Sequence, residues 1–77
     1  MKQIYCREDE AKLQEIREEL KAGRGVIVHN EYETFYGCGF DSWLRKGIED
    51  IKCEIEVTAM NQWWNYPWEY RITPKNK

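Results

Sequence analysis

Three cysteines, Cys6, Cys38 and Cys53, and one histidine, His29, are the side chains of this 77-residue chain best suited to metal binding or nucleophilic chemistry. By count they make a three-Cys, one-His zinc set. Structural zinc sites take their ligands in close pairs, because two ligands on one tight turn cost little extra ordering. Here the nearest two candidates, His29 and Cys38, are nine residues apart. Cys53 falls in the apolar register of a strand, where a thiol is simply a small core residue. No metal ligand is assigned.

A thiol enzyme needs a thiolate beside a base that a third group orients. Cys38, between Gly37 and Gly39, is the least crowded thiol, and Asp41 is the acid at hand to orient an imidazole. His29, however, ends a short strand, where histidine serves as a hydrogen-bonded boundary residue. Fourteen Asp and Glu supply carboxylates in number, but most fall on solvated faces, where a carboxylate keeps its ordinary pKa and catalyses little. The glycines do not cradle phosphate. Gly23-Arg24-Gly25 follows the carboxyl end of a helix, where the dipole repels anions, and Gly37-Cys38-Gly39 lacks the helix and lysine of a P-loop. No catalytic residue and no cofactor is expected.

Aromatic side chains carry the remaining signal. Four Trp, five Tyr and two Phe are a large share for a chain of this length, and five of them fall between Trp63 and Tyr70 (WWNYPWEY). Rigid rings let a short chain bury area with few flexible side chains. Trp63 and Trp64 are adjacent, so in an extended segment they point to opposite sides and at most one faces the core. The other, with Tyr66, is expected on an exposed loop, and exposed aromatics of this kind anchor binding surfaces. Tyr32 and Tyr36 are its candidate neighbours.

These residues must be positioned by short elements. Lys2 to Cys6 (KQIYC) is β-prone. Arg7 to Ala22 is rich in helix formers, with acids at its amino end, and Leu13, Ile16 and Leu20 form a narrow apolar stripe. Gly23 supplies its stop. Val26 to His29 (VIVH) reads as a buried strand and Thr34 to Phe40 (TFYGCGF) as a second, joined by a hairpin loop at Asn30 to Glu33. In that register Gly37 and Gly39 leave a bare strip of backbone for an aromatic ring or a ligand. Asp41 or Ser42 caps one helical turn, Trp43 to Lys46. Ile51 to Thr58 alternates strictly between apolar and polar. Trp68 to Thr73 does the same, which directs Trp68, Tyr70 and Ile72 inward and sets Arg71 across from Glu54 or Glu56. The order implies an α+β fold: a small antiparallel sheet of four to five strands with one amphipathic N-terminal helix on one face. Residues 1–74 make one domain, and 75–77 are expected to fray.

Twelve basic against fourteen acidic residues leave a net charge of −2. Duplex nucleic acid calls for a basic excess, which is lacking. No segment is long and apolar enough to span a bilayer, and no secretion signal is readable. An odd, sparse set of thiols suits a reducing, cytoplasmic setting. The expectation is a non-enzymatic protein that binds another protein through Trp63, Trp64, Tyr66, Tyr32 and Tyr36. One specific version is an inhibitor, of the kind phages and mobile elements carry, that occludes a larger enzyme or defence complex. A homodimer, formed by an edge strand or by the aromatic loop, would also consume this surface. The alternative is a small-ligand or nucleotide binder that stacks a base over the strip at Gly37 and Gly39.

Overall fold

The computed structural model describes residues 1–75. In chain order the elements are β1 (Lys2–Cys6), α1 (Glu10–Lys21), β2 (Val26–Asn30), a 3₁₀ turn (Phe35–Gly39), α2 (Phe40–Gly47), β3 (Cys53–Asn61) and β4 (Tyr66–Pro74). The strands form one sheet in the order β1-β2-β4-β3. β4 is antiparallel to both β2 and β3, whereas β1 lies parallel to β2, with α1 as the crossover between them. The fold is α+β with the N-terminal helix on the sheet, as expected, and a second helix lies beside the first. The sheet is mixed where an antiparallel one was expected, because α1 carries the chain back to lay β2 parallel to β1.

α1 begins at Glu10 rather than Arg7 because Asp9 caps it from an extended conformation. Asp9 Oδ1 accepts the backbone N–H of Ala11 at 2.8 Å and of Lys12 at 3.4 Å. Gly23, at φ +85°, ends the helix. Its N–H donates to Leu20 O at 3.0 Å, and Arg24 N–H donates to Glu19 O at 2.9 Å. Between these stops Leu13, Ile16 and Leu20 are buried. α2 contributes Phe40 and Leu44, one helical turn apart, and the two helices join Ile4, Cys6, Val26, Val28, Tyr70 and Ile72 of the sheet in one core. Arg17 fastens the helices together. It donates to Gly47 O at 2.7 Å and forms a bidentate pair with Asp50 at 2.7 and 2.9 Å. Leu13 packs so closely on α2 that a Cβ at Gly47 would lie 2.7 Å from its Cδ1.

Tyr70 is fully buried, and its hydroxyl donates to Asp41 Oδ1 at 2.9 Å. Arg45 Nε holds that carboxylate at 3.0 and 3.1 Å. Burial and the Asp41 carboxylate both raise the Tyr70 pKa. Among the described residues no helix packs on the other face of the sheet. There Arg71 Nη2 donates to Glu56 Oε1 at 2.6 Å, which selects Glu56 over Glu54 as its partner. Thr58 Oγ1 donates to Glu69 Oε2 at 2.9 Å.

Four local expectations are corrected. Thr34 to Phe40 is not a strand. Thr34 O accepts the N–H of Gly37 at 3.0 Å and starts a 3₁₀ turn; two glycines add little strand preference, and Phe40 starts α2 in place of a single turn at Trp43. With that strand absent there is no hairpin at Asn30 to Glu33, and β2 pairs with β4 instead. Trp68 does not face the core. The β3–β4 register shifts between Val57 and Ala59 and again between Ala59 and Met60, leaving Trp68 without a paired partner and breaking the strict alternation. Trp68 is 40% exposed.

Lys75 N–H donates to Lys52 O at 3.0 Å, beyond the end of β4. Residues 76 and 77 of the expected frayed tail lie outside the described residues. Among the described residues no helix is long and apolar enough to cross a membrane.

Candidate functional site

The carboxyl ends of β1, β2 and β3 and the amino end of β4 meet at one end of the sheet. Two buried asparagines, Asn30 at the end of β2 and Asn61 at the end of β3, organise the loops that leave it. Asn61 Oδ1 accepts the backbone N–H of Trp63 at 2.8 Å and of Trp64 at 2.9 Å, while its Nδ2 donates to Tyr66 Oη at 3.2 Å. Asn65, at φ +57°, closes the four-residue loop, and its N–H donates to Asn61 O at 2.8 Å. Asn30 Oδ1 accepts Tyr32 N–H at 3.0 Å, and its Nδ2 donates to Gly37 O and Pro67 O, each at 3.3 Å. Each side chain thus does for a loop what an N-cap does for a helix.

With the loops held in this way, the aromatic rings project outward. Trp63 is 91% exposed and Trp64 47%. Phe35 stacks on Tyr36 with ring centroids 4.3 Å apart, and Trp64 meets Phe35 edge to face at 5.9 Å. Around the corner, Met60, Trp63 and Trp68 line one shallow cavity, and Trp68 also walls a second with Tyr5, His29 and Tyr32. Tyr5 lies flat on the His29 imidazole at 4.0 Å, with the rings 6° from parallel. His29 Nε2 is 2.7 Å from Gln3 Oε1, and Nδ1 is 3.5 Å from Glu69 Oε1. Every large apolar side chain that the described residues expose, Met1 excepted, lies at this end.

Of the five residues expected to form a binding surface, Trp63, Trp64 and Tyr36 are exposed here and Tyr32 is half-buried. Tyr66 is the correction: it is only 3% exposed. Its ring lies on Gly37, where a Cβ would fall 2.6 Å from the Tyr66 hydroxyl. The hydroxyl also donates to Tyr32 O at 2.9 Å, and burial raises its pKa. Tyr66 is the support under the surface because the loop ends one residue before it and β4 turns its side chain inward. Its ring fills the bare backbone at Gly37, which had suggested a ligand strip. Neither Trp63 nor Trp64 faces the core: both lie in the loop between β3 and β4 and are exposed.

Sequence reasoning missed Tyr5, Phe35, Met60 and Trp68 as members of the surface, and Asn30 and Asn61 as its framework. The asparagines carried a readable signal, since Asn at the end of a strand bonds the backbone two residues on and opens a turn. The three thiols are free and do not converge with His29: Cys6 is buried, Cys38 exposed and Cys53 half-buried. Burial pushes the Cys6 thiol up to about 12, away from the thiolate a nucleophile requires. Among the described residues no three His, Cys, Asp or Glu side chains gather in a metal-binding group. No protein-family model, curated protein or solved structure matches the chain.

Proposed function

We propose that this chain is a non-enzymatic binding protein whose aromatic end docks on another protein. The observation that carries the reading is the segregation of exposed rings: they share one end of the sheet, where two buried asparagines fix the loops, while the rings of Phe40 and Tyr70 serve the core. Rings held in place before binding lose little conformational freedom on contact, and Trp and Tyr are the residue types that most often dominate interface energies. Near-neutral charge favours a protein over a polyanion as the partner. Free thiols suit a reducing, cytoplasmic location.

Site-specific photo-crosslinking in the native host tests this reading. A benzophenone side chain at Trp63 is expected to trap one discrete partner, and the same group at Glu54, near the other end of β3, to trap none. A ladder of unrelated products, or equal capture from both positions, counts against it. Sedimentation at two concentrations separates the homodimer: self-association that Trp63→Ala abolishes would make the partner a second copy of the chain.

A further inference from the structure

One cavity in the aromatic end brings aromatic rings and acidic side chains together. It encloses about 210 Å³ and is walled by the rings of Tyr5, Tyr32 and Trp68, by His29 and Asn30, and by Glu31 and Glu33. Three aromatic rings and two acidic side chains around one hollow are the complement of a cation. Ring quadrupoles attract positive charge at their faces, and the acids supply the counter-charge. At roughly 30 Å³ per water the hollow holds about seven waters, enough for an ammonium head and the first carbons of its stem.

Its walls are pinned. Asn30 fixes Tyr32 N–H, Glu31 N–H donates to Cys6 O at 2.9 Å, and the Tyr66 hydroxyl holds Tyr32 O. Tyr5 is backed by His29. Tyr32 already accepts one cation, since the guanidinium carbon of Arg7 lies 5.5 Å from its ring centroid, and Arg7 is not among the residues that wall the cavity.

We propose that this cavity takes an alkylammonium cation, presented as a lysine side chain, with or without N-methyl groups, by the protein that docks on the aromatic end. The identity of the carrier rests on the proposed function; the cation site itself does not. Glu31 and Glu33 also set the source. A choline headgroup brings a phosphate beside its cation, and the two carboxylates repel it, whereas a lysine side chain brings only the positive end.

The test is titration of the free protein, followed by the indole N–H signals of its four tryptophans, at constant ionic strength. The probes are lysine with both ends blocked, its trimethylated form, phosphocholine, and 3,3-dimethylbutanol as a neutral isostere. Either lysine compound should shift the Trp68 indole saturably and leave that of Trp63 nearly still, with phosphocholine weaker and the alcohol weaker again. Trp68→Ala should weaken cation binding, read from the shifts of the Glu31 to Glu33 amides, about two- to five-fold, the worth of one exposed cation–π contact. Glu31→Gln with Glu33→Gln should weaken it as well and bring the alcohol level with the cation. Both changes are on exposed side chains, and an unchanged backbone spectrum verifies the fold. No saturable shift, equal shifts from cation and alcohol, or tighter phosphocholine binding overturns the proposal. Because no partner is present, failure here leaves the crosslinking result standing, and failure there leaves this one.

Discussion

The covered face of the sheet and its aromatic end use the same residue type to opposite purpose. Under the helices Phe40 and Tyr70 are fully buried, and the one polar atom they bring inside, the Tyr70 hydroxyl, is satisfied by Asp41. At the aromatic end the order is reversed: asparagines lie inside, with every backbone and hydroxyl contact made, and tryptophans lie outside. A 77-residue chain has few large apolar side chains to spare from its core. Leaving Trp63, Trp64 and Trp68 on the surface, while polar side chains take buried positions beneath them, separates the two regions into one that holds the fold and one that presents rings to solvent.

That contrast breaks most visibly in the core. Phe40→Ala empties a fully buried site between α2 and Tyr70 and should cost about 3 to 5 kcal/mol, measured by urea unfolding. Asn61→Ala should cost about 1 to 3 kcal/mol, because the N–H groups of Trp63 and Trp64 and the Tyr66 hydroxyl lose their shared partner. The loss should be local as well, with amide exchange speeding up across Gln62 to Asn65 before it does in α1.

Alkali probes the core through Cys6. Burial raises the Cys6 pKa from about 9 to about 12, so the native state holds a proton that the unfolded chain releases. The contribution of Cys6 is complete below about pH 9 and is lost as pH rises toward 12, a fall of about 1 kcal/mol by pH 10. Cys6→Ala should flatten that part of the pH profile, read as urea midpoints between pH 8 and pH 10, whatever it does to the midpoint at neutral pH. The smallest effect belongs to the most exposed ring. Trp63→Ala should change stability by no more than about 0.5 kcal/mol.

The covered face was the part legible in the sequence, because its signals are local and periodic. The stripe Leu13, Ile16, Leu20, the stop at Gly23 and the inward turn of Tyr70 and Ile72 each follow from spacing along one element. The aromatic end depends on events that spacing does not encode. A paired break in the β3–β4 register turned Trp68 outward, and a 3₁₀ turn replaced an apparent strand and brought Phe35 against Trp64. Gly37 accounts for the inward place of Tyr66. It admits the Tyr66 ring to the interior, and that contact joins residues 29 positions apart.

The central claim, that the aromatic end binds and the remainder supports, is tested most directly by measuring one partner against two variants. The partner captured at Trp63 is titrated against Trp63→Ala,Trp64→Ala and against Lys52→Ala,Glu54→Ala, with urea midpoints recorded for both. The account predicts at least a tenfold loss of affinity for the tryptophan pair with little change in its midpoint, and wild-type affinity for the other. Equal affinity for the two variants, or a loss confined to the Lys52 and Glu54 pair, would contradict it.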